Sequence, residues 1–454
     1  MFKKVLVANR GEIAVRIIRT LKEMGIKTVA IYSPADQDSL HVQLADQAVC
    51  VGGNRAADSY LNVKSILAAA VGTGADAIHP GFGFLSENSQ FAKLCKQCGI
   101  TFIGPEPETI ELVGNKANAR MQMQQSNVPV IPGSRGFIMD VADAMEIANQ
   151  VGYPVMLKAA AGGGGKGIRM VASAAEMEKS FQQAQQEAKS SFGDDRMYLE
   201  KVMQNVKHLE VQIFRDQAGH CVYYPERDCS VQRNKQKMIE ESPCSLLTPA
   251  ERTKLGEIAV KAANSLDYVN TGTIEFLMDQ GHHFYFMEMN TRIQVEHTVS
   301  EMVTGTDIVA AQVKVANGEA LPFAQEDLQA HGYSIECRLN AEDPENDFHP
   351  AAGKIDYLYL PSGTLGVRID TELYPQASIS PFYDSMVAKI VSWGPDRKAA
   401  IAKMKRILNE FVIHGVKTNL EFHRAFLNDT VFLKDQVSTD YLEKKFLPKW
   451  KKEQ

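Results

Sequence analysis

Residues 284–297 read Phe-Tyr-Phe-Met-Glu-Met-Asn-Thr-Arg-Ile-Gln-Val-Glu-His and form the stretch that decides the fold of this chain. With a period of two, one face of a strand carries two phenylalanines and then only charged and polar residues. The opposite face is mainly apolar along its whole length. The pattern predicts a strand whose polar face begins at Glu288, and we expect it to give way to a loop near Asn290.

A second predicted strand, Thr271 to Met278, precedes this stretch and is joined to it by a short turn. A type II′ turn with Gly281 at its first position, or a four-residue loop on the same centre, places Glu275 opposite Glu288. Facing carboxylates destabilise a sheet unless one is protonated or a cation binds them. Their oxygen atoms suit magnesium. Two alternatives are that the carboxylates splay into solvent, or that Glu288 pairs with Arg292.

Length and composition describe an ordinary globular protein. The chain has 454 residues, enough for about three domains, with 44% hydrophobic and 23% charged residues. A net charge of -6 argues against a nucleic acid or an anionic membrane as the partner. We find no run of 18 apolar residues and no signal-peptide pattern. Seven cysteines without framework spacing indicate reduced thiols, so we expect a cytoplasmic location.

The first third of the chain alternates short apolar strands with helical segments, from strand Lys3–Ala8 and helix Ile13–Met24 to strand Thr101–Ile103. This alternation predicts a parallel sheet covered by helices on both faces. The first turn lacks the glycine fingerprint of dinucleotide-binding folds. The loop His79–Asn88 follows a strand, where ligands often bind, or it is a tight loop that packs on the next domain.

A glycine-rich segment lies in the middle third. Residues 161–167 read Ala-Gly-Gly-Gly-Gly-Lys-Gly between predicted strands Val155–Lys158 and Ile168–Val171. A strand on each side contradicts the Rossmann turn, which is followed by a helix, and the segment lacks the Gly-Lys-Ser/Thr ending of a P-loop. We interpret the segment as a flexible flap whose amides close over phosphates, with the alternative of a surface loop. Lys116, Lys158 and Lys166 would supply positive charge.

Further motifs show which family the chain resembles. They are Ala8–Ala14, His79–Asn88, Gly162–Gly167, Glu226–Ser230, Glu288–His297, Ile335–Pro344 and Phe382–Met386. Through them, over most of its length, the chain resembles the biotin carboxylases of the ATP-grasp superfamily. The resemblance implies an α/β N-terminal domain with a parallel sheet at 1–115 and an ATP-grasp domain with a mobile glycine-rich flap subdomain, about 132–203, at 116–330. It also implies an α+β C-terminal domain at 331–446 and a tail at 447–454.

The resemblance implies a two-step ligase: ATP phosphorylates bicarbonate to carboxyphosphate, and the CO2 unit then passes to N1 of biotin. The ATP-binding residues would be Lys116, Lys158, Gly163, Gly164, Gly165, Lys166, Glu200, Lys201, Met203, His208 and Gln232. A Mg²⁺ or Mn²⁺ ion would bind Glu275, Glu288 and Asn290. Bicarbonate would bind Lys237, Arg292, Gln294 and Val295.

Two further residues complete the implied catalytic set, which also includes Lys237 and Arg292. Glu296 would be the base that deprotonates bicarbonate, and Arg338 would hold the ureido oxygen of biotin. The alternative for Arg338 is a structural ion pair with Glu336 or Glu342, since period two places Glu336 and Arg338 on one face.

The chain departs from the family pattern at three positions. The glycine loop opens with Ala161, Lys235 stands where the family usually has histidine, and Thr298 stands where it usually has proline. The other implied catalytic residues are present, so we expect activity.

We expect biotin to arrive on a separate biotin carboxyl carrier protein, because no Ala-Met-Lys-Met segment occurs in the sequence. Carboxyltransferase subunits and a second copy of the chain are the other expected partners, as in a multi-subunit acetyl-CoA carboxylase that serves fatty acid synthesis. Three alternatives remain open. They are a carboxylase for another acyl-CoA, a different ATP-grasp ligase that joins a carboxylate to an amine or thiol, and a nucleotide-binding regulatory subunit without catalysis.

Overall fold

A computed structural model describes residues 1–160 and 167–453. Its first third contains a parallel sheet with strand order β3-β2-β1-β4-β5. The strands are β1 Lys4–Val7, β2 Lys27–Tyr32, β3 Gln47–Cys50, β4 Ala77–His79 and β5 Thr101–Phe102. The helices are α1 Gly11–Glu23, α2 Leu40–Leu44, α3 Val63–Thr73, α4 Ser89–Gln97 and α5 Pro107–Gly114.

Both faces of this parallel sheet are covered, as the alternation of the sequence predicts. Val5 and Val7 of β1 pack in a core with α1, whereas Leu6 packs with Ile66 of α3 and Phe91 of α4. Successive side chains of a strand point to opposite faces, so one short apolar strand serves two cores. The expected α/β class of this region is therefore confirmed.

A small antiparallel sheet, of order β7-β6-β8, follows in the chain. It consists of β6 Val155–Ala159, β7 Ile168–Val171 and β8 Met197–Lys201. The nearby helices are α6 Lys116–Gln125, α7 Val141–Val151 and α8 Ala174–Phe192. Strands β6 and β7 pair antiparallel, so strands stand on both sides of the glycine-rich segment, as predicted.

The second half of the chain is organised by one nine-stranded sheet of order β14-β13-β9-β11-β12-β15-β22-β20, with β10 paired to β9. The strands of its first part are β9 Lys207–Arg215, β10 Cys221–Tyr223, β11 Arg227–Arg233, β12 Gln236–Ser242, β13 Asn270–Met278 and β14 Phe284–Asn290. Helices α9 Pro249–Asn264, α10 His297–Thr304 and α11 Ile308–Ala316 accompany them.

The C-terminal region supplies the remaining strands of this sheet and three small two-stranded sheets. Its strands are β15 Tyr333–Asn340, β16 Glu342–Asp343, β17 His349–Pro350, β18 Gly353–Lys354, β19 Tyr357–Tyr359, β20 Val367–Thr371, β21 Ser378–Ile379, β22 Met386–Gly394 and β23 Val412–His414. Its helices are α12 Arg397–Glu410, α13 Leu420–Phe426, α14 Thr430–Leu433 and α15 Leu447–Glu453. Because β15 pairs directly with β12, the middle and C-terminal regions share one sheet.

The hairpin β13–β14 corrects two expectations. Glu275 does pair with Glu288, but a β-bulge at Met287 shifts the register, so that Phe276 pairs with Phe286. The extra residue reverses the alternation: Phe286 faces the core, while Glu288 lies on the opposite face of the sheet. The prediction that Phe286 and Glu288 lie on the same face of this strand is therefore wrong.

The turn of the same hairpin also differs from the expected type II′ geometry. The amide of His282 donates to the carbonyl of Asp279 over 3.0 Å, and His282 rather than Gly281 adopts a left-handed conformation, with φ 57°. The chain reverses through a longer loop, and the bulge at Met287 restores the pairing of the two glutamates.

The expected frayed tail at the C-terminus is an ordered element. A π-helical turn, Leu442–Phe446, continues into α15. Phe446, Leu447 and Trp450 are buried in the C-terminal core, and Trp450 meets the edge of Phe422 at 6.0 Å between ring centroids. The many lysines of this segment concealed an amphipathic helix, because its apolar residues recur at helical spacing.

The described part of the chain contains no helix that is both long enough and apolar enough to cross a membrane.

We predict that Trp450→Ala lowers the free energy of unfolding by about 3 kcal/mol, because it removes a buried indole and leaves a cavity. Urea denaturation measures the effect. Lys452→Ala, on the same helix but exposed, is the matched control and should leave the midpoint unchanged. Equal midpoints for Trp450→Ala and the unmodified chain would show that α15 does not pack on the core.

Candidate active site

A buried carboxylate lies at the centre of the site. Glu296 precedes α10, and its side chain is 1% exposed. Its two oxygens accept hydrogen bonds from Lys237 at 2.7 Å and from Arg338 at 2.8 Å. Burial alone would raise the pKa of Glu296, but the charges of Lys237, Arg338 and Arg227 outweigh it and hold that pKa well below its usual value. The carboxylate is therefore ionised at neutral pH.

Lys237 connects this carboxylate to the facing glutamates of the hairpin. The Lys237 ammonium donates to Glu275 at 2.9 Å, to Glu296, and to Glu210 through a short hydrogen bond. Desolvation would lower its pKa, but these three acids raise it well above the usual value. Lys237 thus remains a cation between the predicted base and a predicted metal ligand.

Arg338 reaches Glu296 from the neighbouring strand. It lies on β15, which pairs with β12. Its Nε donates to Glu240 at 2.6 Å and one terminal nitrogen donates to Glu296. The alternative that Arg338 pairs with Glu336 or Glu342 is therefore wrong. In the described part of the chain, its second terminal nitrogen donates to no protein acceptor, which leaves that nitrogen for a ligand.

The residues predicted to bind a metal lie together on β13 and β14. Glu275 is directly opposite Glu288, and the amide of Asn290 donates to Glu275 at 2.8 Å. The ammonium of Lys116 donates to Glu288, so the proposed pairing of Glu288 with Arg292 is wrong. Burial opposes ionisation of Glu275, but Lys237 and His208 lower its pKa below the usual value. Two facing ionised acids and an amide fit a divalent cation with oxygen ligands.

Three of the four residues predicted to hold bicarbonate, Arg292, Gln294 and Val295, lie in the loop just before Glu296, and the fourth, Lys237, is on β12. Arg292 donates to the side-chain oxygen of Gln294 at 3.1 Å and to Glu87 at 3.0 Å. Glu87 also accepts the amide of Thr291 at 3.1 Å. The loop His79–Asn88 thus packs on this turn and orients Arg292, which agrees with the packing alternative for that loop.

Two of the residues predicted to contact ATP, His208 and Gln232, are linked to Glu275, one of the two facing glutamates of the predicted metal site. His208 places Nε2 at 3.0 Å from Glu275, and its Nδ1 lies 2.6 Å from the Gln232 amide. All three side chains are buried. A lone histidine on an alternating strand would ordinarily be assigned to the surface, but His208 is buried, and a chain of polar side chains runs from β11 through β9 to β13.

Other residues of the predicted ATP set belong to the small sheet. Lys158 and Arg120 donate to Glu200, which is 5% exposed, so the exposed acid expected at this position is wrong. Lys201 donates to the carbonyls of Gly152 and Tyr153, and Met203 is half-buried. The charge of Glu200 also helps to raise the pKa of Lys116, which donates to Glu288. This group is therefore linked to the two facing glutamates. Gly163, Gly164, Gly165 and Lys166, together with Ala161, lie outside the described residues.

Sequence reasoning missed two buried ionisable residues of the site, Arg227 and Glu240. Arg227 is fully buried, and its Nε donates to Glu210 at 2.5 Å. Glu240 is also fully buried, beside Arg338. The signal that could have revealed them is a polar face on an interior strand: His208, Glu210 and Gln212 alternate with apolar residues along β9.

Two of the three departures from the family pattern, Lys235 and Thr298, lie in the described part of the chain, and they leave the hydrogen bonds of Lys237 and Glu296 intact. Asn234 and Lys235 both have positive φ, 49° and 64°, as in a type I′ turn, and Lys235 is exposed. Thr298 donates a short hydrogen bond to buried Glu336. Neither residue contacts Lys237 or Glu296 within the described ranges.

Comparisons with known proteins match the whole length of the chain. Three family models match it: "Biotin carboxylase, N-terminal domain" at residues 1–110, "Carbamoyl-phosphate synthase L chain, ATP binding domain" at 115–324, and "Biotin carboxylase C-terminal domain" at 336–444. Biotin carboxylase 1 of Bacillus subtilis (strain 168) is 51% identical over 444 residues, which cover 98% of each chain.

Two solved structures are similar throughout. The Campylobacter jejuni biotin carboxylase in complex with β,γ-ATP has a TM-score of 0.93 and 48% identity, covering 97% of this chain and 98% of that chain. The biotin carboxylase domain dimer of Hydrogenobacter thermophilus 2-oxoglutarate carboxylase, with MgADP, ADP and bicarbonate, has a TM-score of 0.92 and 47% identity. That match covers 98% of this chain and 97% of the other.

We predict that Glu288→Gln weakens Mn²⁺ binding in the presence of ADP at least about tenfold, because it removes one of two facing carboxylates. Electron paramagnetic resonance of free Mn²⁺ measures the affinity. Glu410→Gln, which removes an acid paired with Arg406 on the surface of α12, is the matched control and should bind as the unmodified chain does. Unchanged binding by Glu288→Gln would exclude this pair as the metal site.

Proposed function

This chain belongs to the biotin carboxylase family of ATP-dependent carboxylating enzymes, and we propose that it carboxylates biotin with bicarbonate, ATP and Mg²⁺ or Mn²⁺. The observation that carries the proposal is the ionised carboxylate of Glu296, held between Lys237 and Arg338 next to the Arg292–Gln294 turn. Glu296 is a base, and the Arg292–Gln294 turn just before it can bind an anion. This arrangement suits a small oxyanion substrate that must lose a proton.

In the first step, bicarbonate would lie against Arg292, Gln294, Lys237 and the main chain of Val295, and Glu296 would accept its proton. The bicarbonate oxygen then attacks the γ-phosphate of ATP, which forms carboxyphosphate and ADP. Phosphoryl transfer depends on positioning and on neutralising charge rather than on covalent catalysis. A cation bound by Glu275, Glu288 and Asn290 would supply part of that neutralisation. Lys116 and His208 lie beside the same acids and would contact the nucleotide.

In the second step, Arg338 would donate to the ureido oxygen of biotin. Carboxyphosphate would break its C–O bond to give CO2 and phosphate, the phosphate would take the proton from N1 of biotin, and N1 would then bond to the carbon of CO2. Loss of that proton places negative charge on the ureido oxygen, and a fixed guanidinium stabilises it. The nitrogen of Arg338 without a protein acceptor in the described chain is available for this contact. Arg338 keeps its remaining hydrogen bonds to Glu240 and Glu296, so it is fixed in place before the substrate arrives.

We place the domains at 1–115, 116–330 and 331–446, and assign the flap to about residues 132–203, which contain the separate sheet β7-β6-β8. The three family models, which match in the same order, support these boundaries. The predicted ATP contacts of Gly163, Gly164, Gly165 and Lys166 belong to this proposal.

For the biological role we propose the carboxylase subunit of an acetyl-CoA carboxylase in the cytoplasm, as a homodimer, with biotin supplied on a carrier protein and passed to carboxyltransferase subunits. The Bacillus subtilis relative, named a biotin carboxylase, supports the carboxylase subunit, and the dimeric Hydrogenobacter domain supports the homodimer. That same domain belongs to a 2-oxoglutarate carboxylase, which makes an oxoacid carboxylase the second candidate. Transfer of ¹⁴C-bicarbonate by the native complex to acetyl-CoA or to 2-oxoglutarate would decide between them.

The test of the activity is ADP release by the purified chain with Mg²⁺, with and without bicarbonate and free biotin. Release that requires bicarbonate and rises with biotin supports the proposal. Release that ignores both substrates contradicts it and favours a different ATP-grasp ligase. Tight ATP binding without any release favours a regulatory subunit.

We predict that Glu296→Gln lowers kcat at least about 100-fold, because an amide cannot accept the bicarbonate proton. Steady-state ADP release at saturating bicarbonate measures the change. Glu326→Gln replaces an exposed acid and should keep the kcat of the unmodified chain. A kcat within a few-fold for Glu296→Gln would show that another group is the base.

A further inference from the structure

A second cation lies next to Arg338 in the sheet and faces the same loop. Lys389 is on β22, where it pairs with Arg338 of β15 on one side and with Asp370 of β20 on the other. Its side chain is fully buried. Burial of an ammonium is costly unless the group is paired and hydrogen-bonded, so its contacts indicate what it does.

The contacts of Lys389 converge on the loop before α10. Its Nζ donates to the carbonyl of Val295 at 3.0 Å, and within the described residues this is its hydrogen-bond acceptor. Glu12 lies 3.2 Å from the same nitrogen, and Asp370 lies 3.9 Å away. The ring of Phe82 has its centroid at 5.9 Å. Lys389 therefore joins the central loop to two segments of the N-terminal sheet region.

The carbonyl of Val295 has a direct geometric relation to Glu296. The peptide bond is planar, so the Val295 carbonyl, the Glu296 amide and the Glu296 Cα lie in one plane. A hydrogen bond that fixes the carbonyl oxygen therefore fixes where the Glu296 side chain begins. Arg338 and Lys237 hold the far end of the same side chain.

We propose that Lys389 is a positioning residue for the carboxylation reaction, which fixes the peptide between Val295 and Glu296 and thereby aims the base and the bicarbonate-binding main chain of Val295. The inference rests on the proposed function. Strands β15 and β22 then hold Glu296 at both ends, one through Arg338 and the other through Lys389.

Lys389 lies among three buried acids, Glu12, Asp370 and Glu336, so its charge is balanced by its neighbours while the Val295 carbonyl fixes its position. Burial raises the pKa of Glu12 to about 7, against the opposing effect of Lys389. A fixed hydrogen bond to a neutral carbonyl persists whether Glu12 is ionised or not.

The test is Lys389→Met, with steady-state ADP release measured against bicarbonate and against ATP. We expect kcat/KM for bicarbonate to fall about 10- to 100-fold, because small misplacements of reacting groups cost factors of this size. The KM for ATP should stay within about twofold, since none of the ATP-contacting side chains touches Lys389 in the described structure. A merely structural role would change both substrates together and would also lower the thermal midpoint.

The matched control is Lys403→Met. Lys403 also donates to two main-chain carbonyls, of Leu365 and Trp393, both at 2.6 Å, but on α12 away from the loop. It should leave both kinetic constants unchanged. Should Lys389→Met fail to fold, the double variant Glu12→Gln, Lys389→Met removes the unpaired acid and should show the same selective loss, because replacing both members of a buried pair is often tolerated.

The outcomes separate this inference from the proposed function. If the unmodified chain shows no bicarbonate-dependent ADP release, the proposed function fails and the inference fails with it. If that release is present and a folded Lys389 variant keeps kcat/KM for bicarbonate within twofold, only the inference is wrong. A KM for ATP that rises as much as the KM for bicarbonate would also overturn it.

Discussion

A buried negative charge has to be paired, and the arrangement of the second half of this chain follows from that requirement at Glu296. Its two hydrogen-bonding cations, Lys237 and Arg338, come from neighbouring strands of one sheet. Both bring further acids with them, Glu210 and Glu275 to the first and Glu240 to the second. The result is a network of acids and cations in which burial raises the pKa of Glu210 and Glu240, while the neighbouring cations lower the pKa of Glu275 and Glu296.

The continuous sheet explains how two regions of the chain can contribute to one network without a flexible connection between them. Hydrogen bonds between β12 and β15 fix the spacing of Lys237 and Arg338 to that of adjacent strands. The sheet β7-β6-β8, which carries Lys158 and Glu200, is separate from it. The side chains of Lys237 and Arg338 are thus built into the large sheet, whereas Lys158 and Glu200, part of the predicted nucleotide set, belong to a separate sheet.

Much of the fold and much of the site follow from the sequence alone. The alternation of the first third indicates the parallel sheet. The predicted facing of Glu275 and Glu288 was correct only because the bulge at Met287 offsets the one-residue shift that the longer turn introduces. The bulge at Met287 could not be foreseen, since an unpaired residue leaves no mark in a pattern of alternation. The buried ion pairs of Arg227 and Glu240 were missed because a charged residue is by default assigned to the surface. In α15, a high lysine content hid the packing of Trp450.

The bulge in β14 also separates two properties that usually change together in a strand. Loss of one residue normally turns every following side chain to the other face of the sheet. Met287 is the residue of β14 that has no partner on β13. If it were deleted, β14 would alternate regularly, Phe286 would still face the core, and Glu288 would still lie opposite Glu275. What such a shortened strand would lose is the local twist that a bulge adds. The unpaired Met287 therefore adds local twist to β14, whereas the faces on which Phe286 and Glu288 lie would be the same without it.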